Sequence, residues 1–284
     1  MRQTSSILFI AVDSLVPIRG KSVPGLDEFT ATLDHQGIPA VWLTSRSRLQ
    51  FDEPRRKLGH THPFIAEGGC ATYLPEDYFH LRPESNLSKS QKASTIRLGR
   101  FTCIPVAEAL PAAAEALETL SVDTSVPVVP LRSLSLRELS QNTGLPEREA
   151  ELARQRDFDE VFFLAGVSDQ DVQRFLAEGH NRNLQLRQHG VFWSAAIGAS
   201  TQLCIRDLSK LYDRALRQHA HTVGIATEDL SPGLFPYCER TILLTNRAQD
   251  SDPADGAPNS GTRRLELRAP DVWERVLEAI SARN

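Results

Sequence analysis

The stretch ILFIAVDSLV, Ile7–Val16, decides how the chain reads. Six consecutive apolar residues followed by Asp13-Ser14 describe a buried strand that delivers its end to a polar loop, and α/β enzymes commonly carry a reactive side chain at such a place. Working outward, Gly25–His35 reads as a helix and PAVWLTS (Pro39–Ser45) as a second strand. HPFIAEGGCATYLP (His62–Pro75) reads as a strand with a hairpin. Strand, helix and strand at this spacing predict a parallel βαβ unit.

The texture changes between about Ser94 and His189. Val106–Leu120 reads as a helix interrupted by Pro111, and Ser133–Glu160 as two short helices split at Thr143-Gly144-Leu145-Pro146. Ser135 and Glu138 form a capping-box start. Val161–Gly166 predicts a strand, Asp169–Gly179 a helix and Leu184–Gly190 another strand. From Val191 the first texture returns: VFWSAAIG as a strand, a helix near Leu203–His219, the strands TVGIA and TILLT, and a closing helix Pro270–Ser281. Pro83–Lys92 reads as a polar connection and Asn246–Gly261 as a mobile surface loop. The expected fold class is α/β: a core of residues 1–92 and 190–284, a parallel sheet flanked by helices, with an α+β module inserted at 93–189.

Composition narrows the function classes. The 284 residues are 40% hydrophobic and 24% charged, ordinary for a globular chain. A net charge of −4 and a pI near 6.1 argue against broad nucleic-acid or anionic-membrane binding. No apolar run reaches about 18 residues, so no membrane span is expected. Without a cleavable signal pattern the cytoplasm is the expected location. Cys70, Cys103, Cys204 and Cys238 lack metal or redox spacing and read as reduced, buried thiols. His60/His62 and His219/His221 lack a third ligand at a credible spacing and are not read as metal sites.

Three segments, in order, resemble the mannosyl-3-phosphoglycerate phosphatases of the haloacid dehalogenase superfamily. TGLPEREAELARQRDFDE (Thr143–Glu160) is similar to a stretch of that family's cap. HPFIAEGGCATYLP is similar to its PFI-x-ENG segment, with Gly68 in place of Asn, and APDVWERVLEAI (Ala269–Ile280) to its closing helix. The resemblance implies a Rossmann-like core, an inserted cap, and Mg²⁺-dependent hydrolysis of a sugar phosphate.

Each motif that the resemblance brings can be matched in turn. The first is Asp-x-Asp, whose first carboxylate attacks phosphorus and whose second serves as acid/base. Here it reads Ala11-Val12-Asp13; a shifted frame makes Asp13 the nucleophile and puts Leu15 in the other place. The second is retained as Thr44-Ser45-Arg46, whose hydroxyls and N–H groups either hold phosphate oxygens or cap the next helix. The lysine of the third falls on Gln202 or Thr201. In the fourth, both metal-binding aspartates are replaced, by Thr227 and Ser231. Losing one charged participant in such a reaction raises the barrier by about 2–4 kcal/mol.

These departures lead to the expectation of a catalytically impaired relative that needs no cofactor. It would bind a phosphorylated sugar or sugar acid, or pair with a sugar-metabolising enzyme. Arg156 either faces that ligand, as the resemblance implies, or pairs with Asp159 or Glu160; Asp157 and Asp159 read as surface charges. The alternative is an active Mg²⁺-dependent phosphatase with displaced carboxylates, Asp13, Glu228 and Asp229, which otherwise form a solvated acidic loop. A purely structural protein with a closed cleft is a third reading.

Overall fold

A computed structural model describes residues 6–18, 20–79, 95–246 and 261–281. The expected Pro83–Lys92 connection, and 247–260 of the expected mobile loop, lie outside these residues. The apolar run opens as β1 (Ser6–Ala11), which lies between β2 (Ala40–Leu43) and β11 (His221–Thr227), parallel to both. β12 (Arg240–Thr245) and β13 (Thr262–Glu266) extend the sheet beyond β11, and β3 (Phe64–Ala66) extends it beyond β2, all parallel. Burial on both faces explains the apolar runs. Leu8, Ile10 and Val12 pack with α1 (Leu26–His35) and α8 (Val272–Ser281). Ile7, Phe9 and Ala11 pack against α7 (Thr201–Leu216) on the other face. Each fully buried Leu, Ile or Phe there contributes roughly 1.5–3 kcal/mol.

The sheet is larger than the sequence suggests. Past β3, β4 (Ala71–Pro75), β6 (Phe101–Pro105) and β5 (Ile96–Leu98) add antiparallel strands, making nine among the described residues. Residues 96–105, expected in the inserted module, therefore belong to the large sheet. A short turn at Gly99-Arg100 joins β5 to β6, and Phe101 and Cys103 turn inward against Tyr73 and Phe64.

Among the described residues the second sheet has four antiparallel strands in the order β7 (Val128–Pro130), β8 (Glu160–Leu164), β10 (Phe192–Ile197), β9 (Leu184–His189). One face packs on α3 (Leu110–Thr124) and α6 (Asp169–Asn181), the other on α4 (Leu136–Thr143) and α5 (Glu147–Arg154). The expected boundary at residue 190 cuts the β9–β10 hairpin. Only Gly190 and Val191 separate the two strands, with Gly190 at φ 65°, so β10 must pair back on β9 rather than join the large sheet. Pro111 does not interrupt a helix either: it stands in the first turn of α3, where a missing N–H breaks no bond. The capping box on α4 forms as expected, with Ser135 accepting from the Glu138 N–H and Glu138 from the Ser135 N–H.

Candidate functional site

Chain order reverses between β11 and β2 on either side of β1, and the crevice beyond the carboxyl ends of such strands is where α/β folds bind ligands. Ala11 ends β1 opposite Leu43 and is nearly buried. Asp13 leaves the sheet and turns its carboxylate onto the end of β2. Its Oδ1 accepts from the Thr44 hydroxyl, and its Oδ2 accepts from the Ser45 N–H at 2.7 Å and the Ser45 hydroxyl at 2.6 Å. Arg46 completes the cradle with Nε 3.7 Å from Oδ1. The Arg46 guanidinium is itself buried and donates to the Val16 carbonyl, which holds the loop after β1 against the loop after β2.

Thr44 and Ser45 are thus turned toward an anion, and Ser47 is the residue that caps α2 (Arg48–Lys57). The anion they hold is the chain's own carboxylate.

Arg156 lies beyond the end of α5 and is withdrawn from solvent. It pairs through Nε and Nη2 with the Asp159 carboxylate, and Nη2 also donates to the Ser45 carbonyl at 2.6 Å. Glu160 instead pairs with Arg132 at 2.5 Å. Of the two expected surface charges, Asp159 is buried. Asp157 is partly so, receiving the Tyr73 hydroxyl at 3.0 Å and facing Arg48 Nε at 3.4 Å. Both serve the junction between the sheets rather than the surface.

The centre of that junction is Glu67, which the sequence reading did not single out. Its carboxylate is buried and accepts the backbone N–H groups of Asp157 (3.0 Å), Phe158 (2.8 Å) and Asp159 (3.0 Å). Burial, followed by the Asp159 carboxylate, pushes the Glu67 pKa up to about 8, against the pull of Arg156. Burial alone would lower the Arg156 pKa, but Asp159 and Glu67 outweigh it and raise it. Glu67, Gly68 and Gly69 all have positive φ (52°, 62°, 96°), a turn that two glycines permit. The turn brings Gly68 O to Arg187, and it brings Gly69 so close to α7 that a Cβ there would lie 2.6 Å from the Thr201 nitrogen. The signal available in the sequence was Glu before Gly-Gly, flanked by strands.

At the third motif, Thr201 is packed on this turn and Gln202 is exposed; neither supplies a positive charge. At the fourth, the Thr227 hydroxyl donates to Asp229 Oδ1 at 2.6 Å and Ser14 to Asp229 Oδ2 at 3.3 Å. Glu228 turns the other way and accepts from Thr245 at 3.2 Å, while Ser231 donates to the Glu228 carbonyl. Asp13, Glu228 and Asp229 therefore face three different sets of partners. Among the described residues they do not bring one ligand oxygen each within 4.8 Å of the others. This arrangement does not fit a Mg²⁺ site, which needs several oxygens converging on one point. His189, at the end of β9, has its Nε2 3.3 Å from the Ser194 hydroxyl, and burial lowers its pKa against the pull of Asp13 and Asp159.

No family model matches the chain. It is 26% identical to a glucosyl-3-phosphoglycerate/mannosyl-3-phosphoglycerate phosphatase from Methanococcoides burtonii over 206 residues, 72% of this chain and 70% of that one. It is 22% identical to a mannosyl-3-phosphoglycerate phosphatase from Pyrococcus furiosus over 212 residues, 75% of this chain and 80% of that one. Among solved structures it is similar to a phosphatase of the haloalkanoate (HAD) superfamily from Bacteroides thetaiotaomicron, with TM-score 0.62 and 12% identity over 99% and 97% of the two chains. The chain is thus similar in sequence to mannosyl-3-phosphoglycerate phosphatases and shares its fold with phosphatases of the haloacid dehalogenase superfamily. The fold is shared as well with the sucrose-phosphatase of Synechocystis, solved in complex with sucrose and phosphate, at TM-score 0.54 and 13% identity over 99% and 98% of the chains.

The expected thiols are in place: all four cysteines are free and buried, and burial raises the pKa of each. No described helix is long and apolar enough to cross a membrane.

Proposed function

We propose that this haloacid dehalogenase-like chain binds a phosphorylated sugar or sugar acid between its two sheets and has lost efficient hydrolysis. The observation that carries the reading is the Asp13 carboxylate in the cradle of Thr44, Ser45 and Arg46. In the phosphatases it resembles, a phosphoryl group would use those donors, so a phosphate could replace Asp13 by exchanging one oxyanion for another. Ala11 offers no nucleophile beside that position, and each lost charged participant weakens catalysis by about two to three orders of magnitude. Arg156 serves the site as a positioning residue: it fixes the Ser45 carbonyl and hence the direction of the Ser45 N–H.

A thermal-shift screen of phosphorylated sugars and sugar acids, with and without Mg²⁺, tests the proposal, since a ligand of the native state raises its melting temperature by mass action. The expected result is stabilisation without metal, lost in Thr44→Val. Stabilisation that requires Mg²⁺ would overturn the reading in favour of the displaced-carboxylate phosphatase.

A further inference from the structure

The opposite end of the large sheet carries a cluster that the binding cleft does not use. His221 opens β11 and Thr227 closes it, so the two lie six residue steps apart, roughly 20 Å at about 3.3 Å per residue. His219 and His221 flank the buried Ala220, so extended backbone turns both rings to the same outer face. Glu239, immediately before β12, reaches both: His219 Nε2 is 3.1 Å from Oε1, and His221 Nδ1 is 2.5 Å from Oε2. One ligand atom from each of the three lies within 4.8 Å of the other two. The third ligand missing from the sequence spacing is thus supplied by the next strand of the sheet.

Two further contacts fix this geometry. Asp213, on α7, faces His219 Nδ1 at 3.4 Å and accepts the Ala220 N–H at 2.8 Å through its other oxygen. A carboxylate on the far nitrogen of an imidazole is the usual outer partner of a metal-bound histidine, because it fixes the tautomer that presents the other nitrogen. The Glu239 backbone is tied to β11 by its N–H, which donates to the Thr222 carbonyl at 3.1 Å and the Thr222 hydroxyl at 3.0 Å.

We infer that His219, His221 and Glu239 form a mononuclear site for a borderline transition-metal ion, Zn²⁺ being the representative case, with Asp213 orienting His219. Two imidazoles and one carboxylate match the donor preference of Zn²⁺, Ni²⁺ or Cu²⁺ and not that of Mg²⁺ or Ca²⁺. Tetrahedral donors about 2.0–2.1 Å from an ion stand roughly 3.3 Å from one another. From separations of at most 4.8 Å, the exposed and partly exposed side chains reach that spacing with shifts of up to about 1.5 Å. A fourth position stays open to water. The ion would clip the start of β11 to the start of β12 and draw in the C-terminal part of α7, far from the cleft.

The test is a calorimetric titration of the EDTA-treated full chain with ZnCl₂, checked by elemental analysis for stoichiometry. One Zn²⁺ per chain and a raised melting temperature are expected, with no response to MgCl₂. His219→Ala, His221→Ala and Glu239→Gln should each abolish the stoichiometric binding, and Asp213→Asn should weaken it by about 10-fold or more. These side chains are exposed or partly exposed, so the variants should fold, which their unliganded melting temperatures would confirm. No stoichiometric binding, or binding retained in the His219→Ala/His221→Ala double variant, would overturn the inference. Half an equivalent of Zn²⁺ with dimer formation would overturn the site's formation within a single chain.

Discussion

Asp13 and Glu67 both have carboxyl groups received by backbone N–H groups, beyond the carboxyl ends of interior strands of the same sheet, yet their settings are opposite. Asp13 retains 21% of its side-chain exposure and takes donors from its own sheet that a ligand could take instead. Glu67 is 2% exposed and takes three donors from the chain segment leading into the second sheet, some 90 residues away. A partly open carboxylate can be exchanged for another anion at low cost, whereas a buried one that satisfies three N–H groups cannot leave without orphaning them. The first is a candidate site and the second is structural. The resemblance to a phosphatase draws attention only to the first.

The contrast breaks most visibly at the junction. Glu67→Ala orphans the three N–H groups that its carboxyl group receives, so it should destabilise the fold by about 3–5 kcal/mol in urea unfolding. A loss below about 1 kcal/mol would make the junction incidental. Gly69→Ala should be nearly as severe, about 2–3 kcal/mol, because its φ of 96° and the Thr201 nitrogen 2.6 Å from the new Cβ act together. Asp13→Asn should change stability by only about 1 kcal/mol or less, while improving the affinity for inorganic phosphate through removal of the competing negative charge. Weaker phosphate binding in that variant would contradict an exchangeable carboxylate.

Glu67 also sets a pH dependence. Glu67 binds its proton more tightly in the folded chain, with a pKa raised from 4.5 to about 8. By linkage, the stability it contributes is fully present below about pH 4.5 and is lost as pH rises through about 8. Urea midpoints of the parent should therefore fall more between pH 5 and 8 than those of Glu67→Gln. Equal slopes would place the titration elsewhere.

What could be read from the sequence was local. The apolar run ILFIAV from Ile7, the Ser135/Glu138 cap and the Thr143-Gly144-Leu145-Pro146 break all speak through neighbours within a few residues; the cap forms as expected, the strand ends one residue early at Ala11, and the helix runs on through Thr143 before breaking. What escaped depends on distant partners. Phe101–Pro105 is a strand because β4 is beside it, and Phe192–Ile197 belongs to the smaller sheet because a two-residue hairpin ties it to β9. Thr44, Ser45 and Arg46 could be marked as anion donors from their place at a strand end. That Asp13 fills their cradle, and that Arg156 buttresses it from behind, required the fold. Glu239 completes a cluster with His219 and His221 only because β12 lies beside β11.

The most direct measurement of the central claim is phosphate release from a panel of phosphorylated sugars and sugar acids, in parallel for the parent and Asp13→Asn, with Mg²⁺ present. No release above background is expected from either, alongside metal-independent binding of the same compounds. Mg²⁺-dependent release by the parent that disappears in Asp13→Asn would contradict it and make Asp13 the working carboxylate of an active phosphatase.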